Sequence, residues 1–236
     1  MTQFPRNLSR HLRQVFGTAS LCLVLLGVAG PVRACDIALA LAVDVSGSVD
    51  PSEYRIQMGG LAAAMRDPAV ADALVQAQAA ILVVQWSGLG RQQVSIGWTR
   101  ISGRGDLSAL AEQTEALPRA WRDYSTGIGE ALAFAANTYS DVGDCRRKVI
   151  DVSGDGPSNE GLPPEVLRRT LAVEGFTVNA LAIEGTVQNL TGYYRDHVIA
   201  GPGAFVVTAS GFDDYPRRIR QKLLREVSAQ ISGLDR

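Results

Sequence analysis

The chain has 236 residues, 46% of them hydrophobic and 20% charged, with a formal net charge of −1. Composition of this kind supports one sizeable folded core and excludes low-complexity, fibrous and strongly basic nucleic-acid-binding classes. No repeat, low-complexity tract or Pro/Ser-rich linker interrupts it, so a single domain is the expectation.

The first segment stands apart. Arg6, Arg10 and Arg13 make a basic start, an apolar stretch runs from Val15 to Gly30, and Pro31 to Ala34 leads to Cys35. A charged beginning, a short apolar middle and a small-residue exit predict a secretory signal peptide over 1–34, cleaved after Ala34. The apolar stretch is too short and Gly-rich for a membrane span. Its removal takes away four arginines and no acid, leaving 19 basic against 24 acidic side chains, a net charge of −5. That balance speaks against a nucleic-acid or anionic-membrane partner, and no stable membrane insertion is expected once the leader is removed. The expected product is one extracytoplasmic domain, 35–236, periplasmic or secreted.

In chain order, short apolar runs then alternate with helical patterns. The run Ile37–Val43 predicts a strand. Asp50, Pro51 and Glu53 then supply a capping box, and Tyr54, Met58, Leu61 and Met65 mark the buried face of the helix they open. Residues 80–86 and 93–101 read as two strands of a hairpin around Gly88 and Gly90. Leu107, Leu110, Thr114 and Leu117 predict a helix, and a third spans about Gly127 to Tyr139. A strand over 148–153 precedes a helix with prolines at its start and Gly175 where a C-terminal cap belongs. A strand over 177–183, a short helix near Tyr193–Val198, a strand over 204–209 and a C-terminal helix complete the chain. In that last helix Ile219, Leu223, Leu224, Val227 and Ile231 form an apolar stripe, leaving a solvated cationic face.

Unbroken apolar strands between helices predict an α/β fold, a doubly wound and mostly parallel sheet of about six strands with one short antiparallel edge strand. The two cysteines that follow the leader fit this frame: Cys35 lies nine residues before Asp44, and Cys145 ten before Asp155. If those strands are neighbours, both thiols lie at one end of the sheet, where an oxidising compartment favours a disulfide. Acylation of Cys35 is the competing reading. Arg33 fits poorly in the small, apolar run that lipoprotein signals use, so the bridge is preferred.

Ligands of such sheets bind beyond the carboxyl ends of the strands, and three stretches place oxygens there. "DVSGS" carries Asp44, Ser46 and Ser48 after the first strand; "STGIGEAL" places Thr126 at a helix start; "VSGDG" puts Asp155 after a later strand. The set holds no His or Cys, and hard oxygens with few carboxylates suit Mg²⁺. Taken together, these stretches resemble the von Willebrand factor A (VWA) domain and its metal-ion-dependent adhesion site, written Asp-x-Ser-x-Ser, Thr and Asp. The resemblance covers nearly all of the chain after the leader, and is narrower still toward a bacterial group of secreted VWA-like proteins of undefined function. It implies that Ser46 and Ser48 bind Mg²⁺ (with Mn²⁺ or Ca²⁺ as substitutes) directly, and Thr126 directly or through water. Asp44 and Asp155 would hold metal-bound waters. A protein partner would complete the coordination sphere with an acidic side chain, and no catalysis is implied.

Other features read as structural. Asp50 is explained by its cap, and Asp106 of the Arg104–Gly105–Asp106 tripeptide is placed to cap the next helix. Asp151 is a buried acid needing a partner that the sequence does not name. Ser153, Asn159 and Glu160 flank the site as loop residues. His197, Tyr193 and Tyr194 read as packing or rim positions. The rival is a Mg²⁺-dependent haloacid-dehalogenase-like phosphohydrolase, which also places an Asp after the first strand. That chemistry uses a second acid two residues on as proton donor, and this chain has Ser46 there.

Overall fold

Residues Ile37–Asp44 form β1, every one of them buried. Ile37, Leu39, Leu41 and Val43 point to one face and Ala38, Ala40 and Ala42 to the other, as the two-residue period of a strand requires. The remaining strands are β2 (Ala80–Trp86), β3 (Gln92–Arg100), β4 (Arg147–Gly154), β5 (Phe176–Ile183) and β6 (Val206–Ala209). They form one six-stranded sheet in the order β3-β2-β1-β4-β5-β6. All neighbours are parallel except β2 and β3, so β3 is the antiparallel edge. The structure, a computed structural model, describes residues 35–185 and 187–228. The expected leader over 1–34 and Ile231 of the C-terminal stripe lie outside the described residues.

Among the described residues seven helices cover the sheet: α1 (Pro51–Arg66), α2 (Pro68–Gln76), α3 (Arg104–Ala116), α4 (Ile128–Ala136), α5 (Pro164–Val173), α6 (Leu190–Tyr193) and α7 (Tyr215–Ser228). The large residues of β1 pack with α1, α2, α3 and α7. Its alanines face Ile128, Ala131, Leu132 and Ala135 of α4, so small residues meet small residues and the helix lies close to the sheet. α1 opens as expected: Asp50 Oδ1 accepts from Ser52 and Glu53 N, and Glu53 Oε2 accepts from Asp50 N. Gly175, at φ 83°, ends α5 in the left-handed region as its position predicted.

Four local features differ from the sequence reading. α2 was not foreseen, although Asp67 caps it through Ala69 and Val70 N and Pro68 opens it. The helix expected over Gly127–Tyr139 stops at Ala136, and a 3₁₀ turn takes Tyr139–Val142. The strand expected from 204 pairs only from Val206. Around Tyr193, α6 runs into a single π-type turn over Tyr194–Val198.

β1 and β4 are neighbours in register, Val43 opposite Ser153. Their amino ends carry Cys35 and Cys145, which form a disulfide with Cα atoms 4.5 Å apart. The bridge lies at the opposite end of the two strands from Asp44 and Asp155. The Arg104–Gly105–Asp106 tripeptide is used internally, since Asp106 Oδ2 accepts from Ser102 and Gly103 N and Arg104 pairs with Asp72.

Candidate metal centre

The chain leaves β1 for α1 on one face of the sheet and β4 for α5 on the other. The two connections therefore part at the carboxyl rim between β1 and β4, where an open α/β sheet leaves a crevice. Asp44 ends β1 there, fully buried. Its Oδ1 accepts from Ser46 N at 2.7 Å, which folds the loop back on itself, and Gln57 Nε2 of α1 holds its carbonyl at 2.9 Å. The turn brings Ser46 Oγ within 3.3 Å of Ser48 Oγ. Thr126, just ahead of α4, donates to Ser46 Oγ at 3.4 Å. Ser48 Oγ donates to Asp155 Oδ1 at 2.5 Å, joining the β1 and β4 loops.

The oxygens expected to form the site are thus gathered at one place: Thr126, Ser46, Ser48 and Asp155 in a chain, with Asp44 beside it, bound to Ser46 N. The electrostatics carry the same message. Burial, and then the charge of Asp155, push the Asp44 carboxyl up to about 7 from its usual range near 4. Asp44 Oδ2 has no hydrogen-bond partner although it is buried. Burial also raises Asp155. Two carboxyls held at this cost, one with an orphaned oxygen, beside three hydroxyls rich in lone pairs, are a donor set that a hard divalent cation fits. Among the described residues no group of three or more His, Cys, Asp or Glu gathers as a metal cluster. A cation at this place would have to draw on the hydroxyls as well.

The sequence did not indicate what holds these loops. Residues 118–127 are irregular, and their backbone groups are satisfied from the sheet. The buried Gln85 of β2 donates to Pro118 O and accepts from Ala120 N, and Ser87 Oγ donates to Ser125 O. Arg119 Nη2 clamps the β1 loop from outside, donating to Val45 O at 3.1 Å and Ser46 O at 2.7 Å. Asn159 Oδ1 accepts from Thr126 N at 2.9 Å, and Glu160 Oε2 accepts from Leu89 N at 2.9 Å, so these two flanking residues position loops. Tyr193 Oη accepts from Ser158 N, and the fully buried Tyr194 donates to Gly156 O. Burial, with Asp44 and Asp155 nearby, pushes the Tyr194 phenol far up and keeps it neutral. A Cβ on Gly154 would lie 2.6 Å from Tyr194 Oη and 2.8 Å from Asp44 Oδ2, so only glycine lets both approach. No sequence signal marks Gln85, Arg119 or Tyr194, because their partners are distant in the chain. His197 lies away from this set, paired with Glu165 at 2.6 Å and stacked on Tyr193.

Comparison with known proteins bears on the fold. A family model described as "Protein of unknown function (DUF1194)" matches residues 34–231. No curated protein matches the chain. Among solved structures, it is similar to proximal thread matrix protein 1 from the mussel byssus, with a zinc-occupied MIDAS motif. The TM-score is 0.62 at 18% identity, over 82% of this chain and 46% of that one. A von Willebrand factor type A structure from Catenulispora acidiphila gives a TM-score of 0.59 at 17% identity, over 82% and 43%. The pilus adhesin SpaC from Lactobacillus rhamnosus GG gives 0.60 at 12% identity, over 81% and 31%. The fold is therefore that of the VWA domain, and the chain spans less than half the length of these structures. Nothing in the comparisons supports a haloacid-dehalogenase-like phosphohydrolase.

Proposed function

We propose that this chain, which belongs to the DUF1194 family, is an exported domain that binds a partner protein through a divalent cation held by Asp44, Ser46, Ser48, Thr126 and Asp155. The observation that carries the reading is the convergence of those side chains at the switch point, with a buried carboxylate oxygen left unpartnered. Ser46, Ser48 and Thr126 supply neutral donors. Asp44 and Asp155 supply charge and hold metal-bound waters. Mg²⁺ is the expected ion, with Mn²⁺ or Ca²⁺ able to substitute, since every donor is a hard oxygen. A cation held by few carboxylates stays electrophilic, so an acidic side chain of a partner can complete its sphere. That arrangement binds and does not turn over, and no carboxylic acid stands two residues after Asp44 to act as general acid.

The leader-like segment over 1–34 and the Cys35–Cys145 disulfide support an extracytoplasmic location for a single domain over 35–236. Among the described residues no helix is long and apolar enough to cross a membrane. Affinity capture from an envelope extract, in Mg²⁺ and in chelator, tests the reading. Proteins retained by the wild type in Mg²⁺ only, and not by Ser46→Ala, are the expected result. Retention indifferent to chelator and to Ser46→Ala contradicts it, as does Mg²⁺-dependent hydrolysis of an aryl phosphate that Asp44→Asn abolishes.

A further inference from the structure

The rim around the centre is not uniform. On one flank, the turn between β2 and β3 puts Leu89 outside at 53% exposure, and the loop before Thr126 puts Tyr124 outside at 42%. The Arg91 guanidinium lies 3.7 Å over the Tyr124 ring and donates to Leu89 O at 3.0 Å. Arg91 is absent from the ion pairs of the described residues. It is a fixed cation stacked on an aromatic face, with no carboxylate in direct contact among those ion pairs.

This flank is tied to the centre by backbone. Gly47 N, between Ser46 and Ser48, donates to Tyr124 O at 2.8 Å. Gly127 N, next to Thr126, donates to Ser87 O at 3.0 Å. The turn itself closes through Ser87 N to Arg91 O and Arg91 N to Gly88 O, with Gly90 at φ 69°. Leu89, Arg91 and Tyr124 therefore present a preorganised surface, and little ordering remains for binding to impose.

The opposite flank has the reverse character. Between the start of α1 and the loop after β6, Glu53, Ile56, Phe212, Asp213 and Asp214 line an open groove of about 360 Å³. Asp214 is paired with Arg217 and Arg218, and Glu53 is bound to its cap, but Asp213 is exposed and, among the described residues, in no ion pair. On the Arg91 flank, Glu160 is bound to Leu89 N, the exposed Asp123 beside Tyr124 has the exposed Arg122 as its neighbour, and Arg119 Nη2 is bound to the β1 loop. An acidic segment reaching the centre is repelled by the Asp213 side and attracted by the Arg91 side.

We infer that Leu89, Arg91 and Tyr124 form a recognition subsite for an acidic segment of a partner protein, in which the metal-reaching carboxylate is flanked by an apolar side chain and a second acid. The apolar side chain packs on Leu89 and the Tyr124 edge, and the second acid pairs with Arg91. This rests on the metal-dependent reading above and adds the direction and chemistry of the bound segment. A charge pair at such a rim steers the encounter and sets specificity more than it adds affinity.

Random peptides displayed on phage, selected on the full-chain protein in Mn²⁺ and eluted with chelator, test the inference. The expected peptides carry an Asp or Glu with a second acid and an apolar residue close by. A synthetic peptide of that sequence should bind Arg91→Glu about tenfold more weakly and Leu89→Ser several-fold more weakly, while calorimetric Mn²⁺ binding is unchanged in both variants. The subsite is overturned if the same peptides are selected on the Leu89→Ser, Arg91→Glu double variant, or if a Mn²⁺-loaded protein yields no chelator-released peptide. Wild-type protein that binds no Mn²⁺ overturns it at the level of the centre instead, and the calorimetry separates the two failures.

Discussion

Gly154 and Tyr194 show how closely the centre is fitted at the scale of single residues. Gly154→Ala would push a methyl against Tyr194 Oη and Asp44 Oδ2, and the expected result is a loss of about 1–3 kcal/mol in stability, read by urea denaturation, with weaker Mn²⁺ binding. Adding Tyr194→Phe removes one of the two clashing atoms. The double variant should be more stable than the sum of the single changes, a coupling that a thermodynamic cycle measures. Strict additivity would place Tyr194 outside the account. At this scale the clustering of these oxygens was legible in the sequence, because Asp44, Ser46 and Ser48 share one loop and Thr126 and Asp155 stand at fixed places after their elements. Arg119, Gln85 and Tyr194 were not, since each acts on backbone or carboxylate atoms brought near only by the sheet.

Among the elements, α7 carries the least expected feature. The basic run Arg217–Arg225 reads as a solvated cationic face, yet Lys222 is fully buried. Its ammonium reaches Glu226 Oε1 at 2.6 Å and Asp151 Oδ1 at 2.5 Å, the latter an ion pair without hydrogen-bond alignment. Here is the partner Asp151 lacked in the sequence. Asn179 Nδ2 donates to Glu226 Oε1, and Arg147 donates to Glu226 O, so α7 is pinned to β4 and β5. Lys222→Met leaves two buried acids without their cation, and the expected loss is about 3–5 kcal/mol in denaturation. Burial, and then Asp151, push Glu226 up to about 7 from 4.5. The folded state thus holds a proton that the unfolded state has released, and the Glu226 contribution to stability falls as pH rises from about 4.5 to about 7. Stability of the wild type relative to Glu226→Gln should decline across that window, and a flat difference would contradict the assignment. Helix and strand types were readable from periodicity and caps. Boundaries failed where tertiary contacts override local pattern, as at the 3₁₀ turn of Tyr139–Val142, whose tyrosine is buried and donates to Val149 O.

The whole molecule separates its fastening from its proposed function. The disulfide closes a sequence separation of 110 residues at the amino ends of β1 and β4, while the oxygens converge at their carboxyl ends. Loop-closure entropy on that scale corresponds to about 3–5 kcal/mol. The Cys35→Ser, Cys145→Ser variant should lose roughly that much stability while keeping its Mn²⁺ affinity within about twofold at temperatures where it is folded. The parallel sheet and the pairing of the cysteines were legible because apolar runs and matched offsets survive in a single sequence. The lopsided rim was not, because Leu89, Arg91 and Tyr124 come from two loops with no common motif.

The most direct measurement is a calorimetric titration of the purified protein with Mn²⁺, repeated on Asp44→Ala and Ser46→Ala with folding checked by circular dichroism. The account predicts one site per chain in the wild type and none in either variant. No binding by the wild type, or the same binding in all three proteins, contradicts it.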